Sequence, residues 1–530
     1  MRTPAPPAIS PHDLRAMLAD AGELALLDVR EELIFSRGHL LHARSLPASR
    51  LELRIARLVP RRATRIVLVD DGDDLAARAA ATLAGLGYSD PAVLDGGIAA
   101  WTAAGFELFS GINVPSKAFG EFVEHADATP SIGAEELERL LRERADVVVL
   151  DSRPFDEYSR MSIPTGIDVP GAELVLCVRD LAPSPATTVV VNCAGRTRSI
   201  IGAQSLINAG VPNKVVALRN GTMGWNLAGF TCDSGQTRRA PDASADGLAW
   251  ARSAAVRVAE RFGVTRIERA TLARFRGDPE RTLYLFDVRD PDEYAAGHVA
   301  GSVSAPGGQL VQATDQYVGT LGARIVLLDD KEVRALMTAS WLRQMGFRDV
   351  FVLAQAGAER DQPVEPVPGL DRRPELAIDP AGLVDLLARD AATVIDLSLS
   401  RAYRRGHIAG AWFAIRARLK QGLAVIPARE CFVLTSEDGR LADLAAPELA
   451  ALTERPVRYL KGGNTAWQAA GHPLTAADAH MADEPIDVWL RPYERAGGVR
   501  EGMIEYLTWE TDLPERIARD GTADFAQYRP

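Results

Sequence analysis

The segment VVVNCAGRTRSIIGAQSL sets Cys193 at the end of a short apolar run, with Gly195, Arg196 and Arg198 close behind and a helix-forming stretch about six residues further on. The carboxyl end of a buried strand is where open α/β sheets place ligand sites. A loop holding a glycine can curl so that successive backbone N–H groups converge as an anion nest, and the dipole of the following helix adds positive potential. Arg196 and Arg198 add formal charge. All three effects favour the thiolate over the thiol, and a thiolate on the floor of an anion cradle is a nucleophile suited to anionic substrates.

Other reactive types are read as structure. Cys177, Cys232 and Cys431 sit among apolar or small residues, open no Gly-Arg loop, and are expected to be packed thiols. Four cysteines with no CxxC pair make neither a disulfide scaffold nor a structural zinc site, and fit a reducing compartment. His39, His298 and His407 stand in Gly-His turns of segments that lack the nucleophile, while the matching stretch near Cys193 reads Met161-Ser162-Ile163, so they are assigned to turn structure. No metal site is expected.

The elements that must position Cys193 recur four times. An apolar run ending in Asp appears as LALLDVR, VVVLDSR, LYLFDVR and ATVIDLS, and from Asp28 to Asp151, Asp287 and Asp396 the steps are 123, 136 and 109 residues. That spacing suits tandem globular domains rather than a solenoid. Each run leads to a Gly-containing turn, a second strand (RIVLVD, TVVVNC, RIVLLD, CFVLTS), a helix, and a third strand. Three repeats then carry a Gly-rich turn opening a helix with Trp101, Trp225 or Trp467; VLAQAGAE of repeat 3 has lost it. The tryptophans are expected to pack as core, with Trp225 also placed to line a mouth near Cys193. Short buried strands alternating with helices predict α/β domains, each a parallel sheet covered on both faces. Aligned without gaps, position 193 corresponds to Asp70 in repeat 1 and Asp329 in repeat 3, and on a looser fit to Ser436 in repeat 4. None is a thiol, and the acidic loops DDGDDLA and DDKEVRA would repel an anion. The four Asp residues are shared by all repeats and are expected to tie strand to loop.

Composition sets the outer bounds. The 530 residues, 47% hydrophobic and 25% charged, are those of an ordinary multidomain globular protein. With 60 basic against 71 acidic side chains the net charge is -11, which disfavours nucleic acid and acidic membrane surfaces. The N-terminus shows no basic region followed by an apolar core, and no stretch reaches the roughly 18 apolar residues of a membrane span; a cytoplasmic protein is expected. Periodicity fades around Gly111-Pro130, Ser234-Ala245 and Gln362-Pro374, which are read as linkers. After Pro473 the tail holds GMIEYLTWETDLPERIARD, whose Met503, Tyr506 and Leu507 share one helical face and should dock on a domain.

With its LLDVR-type strand, GHIAGA-type turn, CAGRTRS loop and GGxxAW turn, the chain resembles four tandem rhodanese domains. The resemblance covers nearly everything but the tail, giving domains at 1-112, 125-238, 255-365 and 372-476 and an extension at 477-530. In that family the active loop is Cys, four residues, then Arg. The resemblance implies that Cys193 attacks the outer sulfur of thiosulfate, releases sulfite, and passes the sulfur from a persulfide to cyanide or a thiol, with no cofactor. Within the loop it implies that Arg198 binds the donor's sulfonate end and Arg196 lines the entrance, with Ala194, Gly195, Thr197 and Ser199 completing the cradle. By the same resemblance the first, third and fourth domains are inactive, and repeat 1 is expected to dock on repeat 2 and wall the pocket. Two other readings stand beside this one. A cysteine phosphatase uses a similar cradle, but its loop has five residues between Cys and Arg and commonly His before Cys, where this chain has Asn192. A non-catalytic scaffold or reactive-sulfur sensor would suit three thiol-less repeats.

Overall fold

The computed structural model describes residues 5–20, 22–89, 91–354, 367–476, 480–523 and 525–526. Among them are four five-stranded sheets, all parallel and all in the order 1-5-4-2-3 when the strands are counted within each repeat. In repeat 2 the strands are Ser131–Ile132, Val147–Asp151, Ile167–Asp168, Thr188–Asn192 and Val215–Leu218. The central strands are runs of valine because both faces are covered. Val189 and Val191 face the helices Leu174–Leu181 and Thr197–Ala209, whereas Val190 faces Leu137 and Trp225 on the other side.

Register makes the repeats superposable residue by residue. Asp28 pairs with Val69, Asp151 with Asn192, Asp287 with Leu328, and Asp396 with Thr435. The next residue in each case is Asp70, Cys193, Asp329 and Ser436, so the fourth repeat aligns as firmly as the others. In the first three repeats the strand-end Asp accepts from the Nε of an Arg two residues on, at 2.9, 2.8 and 2.9 Å. That guanidinium also donates to a carbonyl of the following turn, at Gly38, Met161 or Gly297. Repeat 4 has Ser398 in place of the Arg, and Asp396 takes the side-chain amide of Asn464 at 2.8 Å instead. The Gly-His turns are likewise structural: His39, His298 and His407 stack on Phe35, Tyr294 and Tyr403 with ring centroids 3.9, 3.9 and 3.8 Å apart.

The repeats pack in an order that the sequence did not reveal. Repeats 2 and 3 share one apolar core, joined by Leu174–Leu181, Ala245–Arg261 and Val333–Gln344. The middle helix begins inside the segment read as a linker. Its Ala251, Ala254, Ala255 and Val258 are at most 1% exposed, and side chains this small let two neighbouring helices approach closely. Trp341 of repeat 3 donates its indole N–H to Ser205 of repeat 2 at 2.8 Å. Repeat 1, expected on repeat 2, leans on repeats 3 and 4. Tyr284 donates to the Leu58 carbonyl at 2.6 Å, Glu23 accepts the Thr282 backbone N–H at 2.9 Å, and Arg416 forks onto Glu52 at 2.7 and 2.8 Å.

The segment 111-130, also read as a linker, holds the helix Val114–Asp127. The C-terminal helix Val499–Asp520 lies along it and is tied to repeat 1 by Arg516–Glu107 at 3.0 Å and Arg15–Asp520 at 3.2 Å. Residues 355–366, which hold the first part of the Pro-rich segment 362–374 and the second half of VLAQAGAE, fall outside the described residues. No described helix is long and apolar enough to cross a membrane.

A fragment of residues 1–240 strips repeat 2 of the helices from repeat 3 and the tail that cover it. Exposing an apolar face of that extent favours association, so the fragment should elute as aggregate in size-exclusion chromatography with light scattering. A monodisperse, folded fragment would contradict this packing.

Candidate active site around Cys193

Cys193 follows the strand Thr188–Asn192 and precedes the helix Thr197–Ala209. It is 2% exposed, with its sulfur 3.5 Å from Ser199 Oγ. The Ser199 hydroxyl donates to the Arg196 carbonyl at 2.8 Å and so clamps the loop across its width. From behind, the helix Gly221–Leu227 holds the loop backbone: Thr222 N–H donates to the Cys193 carbonyl at 2.9 Å and Met223 N–H to that of Ala194 at 3.0 Å. Gly221 makes this approach possible, because at φ +53° any Cβ would collide with the Cys193 carbonyl oxygen. Outside the loop, Gly195 is covered by Met223, Tyr506 and Glu510, and Thr197 donates to Glu510 Oε1 at 3.4 Å.

The two arginines have different surroundings. Arg198 forks onto Glu157 at 2.8 and 3.2 Å and donates to Gln309 of repeat 3 at 3.1 Å. Arg491 of the tail donates to the same Glu157 at 3.1 Å. Burial works against the Glu157 charge, but Arg198, then Arg491 and Arg153, outweigh it and hold the carboxyl at about 2. Burial likewise opposes the Arg198 charge and is outweighed by Glu157, with the Cys193 thiolate adding to the attraction. Arg196, expected at the entrance, turns instead to Glu121 at 2.7 Å, to Glu124, and to Asn220 at 3.2 Å. Both carboxylates come from the helix Val114–Asp127, which the sequence reading left as a linker.

The thiol-less loops show where the loop amides point. In repeat 1 the Asp70 carboxylate accepts the N–H of Gly72 at 2.9 Å and of Ala76 at 2.8 Å. In repeat 3 Asp329 accepts from Lys331 at 3.2 Å, Arg334 at 2.8 Å and Ala335 at 3.4 Å. Loop amides of this fold therefore converge on an anion, and in these two repeats the protein's own side chain fills the place. Repeat 3 has also kept a cation. Arg334 stands after Asp329 as Arg198 stands after Cys193, and Glu293 after Asp287 as Glu157 after Asp151. Arg334 pairs with Glu293, with Asp329 at 3.0 Å, and across the interface with Glu173 at 2.9 Å. Gln309 and Glu173 occupy matching positions, so the two interface arginines are related by an approximate two-fold arrangement.

Most of the remaining candidates lie apart from this chemistry; Cys232, expected as a packed thiol, is instead half-buried and lines a cavity with Glu157 and Arg491. Trp101, Trp225 and Trp467 are at most 6% exposed and donate their indole N–H to the carbonyls of Glu107, Thr231 and Pro473 at 3.0, 3.0 and 3.1 Å, so Trp225 is core rather than mouth. Burial pushes the Cys177 thiol up to about 12 and that of Cys232 to about 11, and raises Cys431 as well. His39 is pushed down to about 4 by burial. Sequence reasoning missed Glu157, Gln309, Arg491 and Glu510, and read Tyr506 only as part of a docking face. For Glu157 a signal existed, the recurrence of DEY in repeats 2 and 3.

Comparison with known proteins agrees with the geometry. The sequence model of the rhodanese-like domain matches residues 10–104, 133–228, 269–356 and 379–470. A crystal structure described as thiosulfate sulfurtransferase from Pseudomonas aeruginosa is 52% identical, covers 97% of this chain and 98% of its own, and superposes with a TM-score of 0.95. A rhodanese-related protein from Thermoplasma volcanium is 20% identical, covering 19% of this chain and 98% of its own with a TM-score of 0.18. Centrosomal protein of 41 kDa from Gallus gallus is 32% identical over 83 residues, 14% of this chain, which spans only 23% of that relative's length.

Glu157 lies well below its ordinary value of 4.5, at about 2, so its contribution to stability is complete above about 4.5 and is lost as pH falls toward about 2. At ~1.4 kcal/mol per pKa unit the contribution is about 3 kcal/mol. Glu157→Gln should lower stability by about that amount at pH 7 and flatten the acid limb, read by urea titrations across the pH range. An unchanged acid limb would show that the two guanidinia hold nothing in place.

Proposed function

The chain belongs to the rhodanese-like family, matched in all four repeats, and we propose that it is a sulfurtransferase that draws sulfur from thiosulfate through Cys193 alone. The observation that carries this reading is the pattern of the four loops. Equivalent amides close on a carboxylate in repeats 1 and 3, and repeat 2 places a thiol there with Arg198 beside it.

In the proposed reaction the Cys193 thiolate attacks the outer sulfur of thiosulfate. A bond forms between Sγ and that sulfur, the sulfur–sulfur bond of thiosulfate breaks, and its electron pair leaves with sulfite. Amides of Gly195, Arg198 and Ser199, the counterparts of those that hold the built-in carboxylates, stabilise the charge on the donor and then on the persulfide. Arg198 faces the sulfonate end. Ala194, Thr197 and Ser199 shape the loop, and Arg196 fixes it from outside through Glu121. Cyanide or a thiol then attacks the outer sulfur, the persulfide bond breaks, and the pair returns to Cys193. Repeats 1, 3 and 4 have no thiol at the matching position and act as packing partners.

The large match to a thiosulfate sulfurtransferase along almost the whole chain supports this substrate. The loop's four residues between Cys193 and Arg198, one fewer than in cysteine phosphatases, speak against a phosphate ester.

Turnover of thiosulfate and cyanide to thiocyanate tests the reading. Cys193→Ser should abolish it, while Cys177→Ser and Cys431→Ser should leave it within about twofold of the parent. A charge-assisted contact is worth about 1.5–3 kcal/mol, so Arg198→Ala should lower kcat/KM by roughly tenfold or more. Parent-like turnover in Cys193→Ser would sink the assignment.

A further inference from the structure

A cavity of ≈ 510 Å³ lies between repeat 2 and the C-terminal extension, reaching the Cys193 loop through Glu157, the partner of Arg198. That volume is in the ordinary range of ligand sites, about 300–1,000 Å³, and far exceeds what thiosulfate, with its handful of heavy atoms, would fill. Arg153, Glu157 and Arg160 line it from repeat 2, and Arg491 and Tyr493 line it from the extension.

The charges in this cavity do not cancel. Arg153 is matched by Asp151 at 2.8 Å, Arg160 by Glu494 at 3.4 Å, and Asp233 by Arg238 at 3.6 Å. Glu157 alone faces two guanidinia, Arg198 at 2.8 Å and Arg491 at 3.1 Å. One positive charge is left over. The Arg198 side chain is 9% exposed and lies outside this lining, whereas the Arg491 side chain is 36% exposed, so the surplus is presented where Arg491 meets the cavity. Arg491 is also preorganised. Its backbone N–H donates to Glu494 across the turn Pro492–Glu494 at 3.0 Å, and its guanidinium donates to the Tyr493 hydroxyl at 3.1 Å.

The geometry points to Arg491 as a specificity-determining residue that anchors the anionic end of a low-molecular-weight thiol, the acceptor of the sulfur. The inference rests on the sulfurtransferase reading. The carboxylate of such a thiol binds Arg491, and its sulfur is directed past Glu157 toward the persulfide. The acceptor thiolate attacks the outer sulfur of the Cys193 persulfide, forming a new sulfur–sulfur bond. The bond between that sulfur and Sγ breaks, its electron pair returns to Cys193, and no external oxidant or reductant is needed. A carboxylate-bearing thiol of tripeptide size suits both the volume and the charge.

The full chain is used for the test, as parent, Arg491→Ala and Arg491→Lys. The ratio of KM for glutathione to KM for 2-mercaptoethanol is measured with thiosulfate as donor, and binding of unreactive S-methylglutathione is measured by calorimetry. Arg491→Ala should weaken S-methylglutathione binding by about tenfold, the order of one charge-assisted contact, and raise the KM ratio by a similar factor. Arg491→Lys should recover much of both. Equal losses for the charged and neutral thiols, or binding insensitive to Arg491, would overturn the anchor. No binding by the parent would do so too, even if thiosulfate and cyanide turn over. Conversely, an inert parent that still binds S-methylglutathione through Arg491 would keep the site and refute the sulfurtransferase reading.

Discussion

A single buried carboxylate, Glu157, organises the neighbourhood of Cys193. It forks onto Arg198, accepts from Arg491, and is held ionised by them against the cost of its burial. Two guanidinia on one carboxylate would repel each other if it were neutral, so its charge is a condition of the arrangement. Through Arg198 it reaches Gln309 and hence repeat 3; through Arg491 it reaches the extension. Three parts of the chain far apart in sequence are thus registered on one another at the mouth of one loop.

The same constraint explains why repeat 3, and not repeat 1, is the neighbour of repeat 2. Glu157 with Arg198 and Glu293 with Arg334 are matched pairs, each completed by a polar side chain of the other repeat. Repeat 1 has Ile34 and Leu75 at these positions and repeat 4 has Ala402 and Leu441. They carry no such pair to offer, and are joined to each other through Glu52 and Arg416. The apolar core joins repeats 2 and 3, and the two matched Glu–Arg pairs fix their mutual register, because a buried charge left without its partner is costly.

Much of this was legible in the sequence because repetition does the work of an alignment. Four copies of one strand pattern fix the sheet, gapless spacing fixes the counterparts of Cys193 in repeats 1 and 3, and the register of Asp396 with Thr435 makes the looser match to Ser436 firm. The position of Arg196 was not legible. Its partners Glu121 and Glu124 lie on Val114–Asp127, a helix whose apolar side is read only once the C-terminal helix is laid against it. The packing order was hidden for a related reason. It depends on co-occurring Glu and Arg at two separated positions, and on alanines of Ala245–Arg261, neither of which produces periodicity within one repeat.

The loops themselves show how a fold separates stability from reactivity. Where Asp70 or Asp329 stands in the cradle, the loop amides are satisfied from within and the domain closes on itself. Cys193 brings no such acceptor, and its loop is held from outside: by Thr222 and Met223 behind it, by Glu121 through Arg196, by Glu157 through Arg198, and by Tyr506 and Glu510 over Gly195. On the proposed reading the cradle takes a transient anion and has to be rigid without being filled, so its support must come from neighbouring elements rather than from its own side chain. Three repeats without a thiol at the matching position and a long extension packed around one thiol-bearing loop match that requirement.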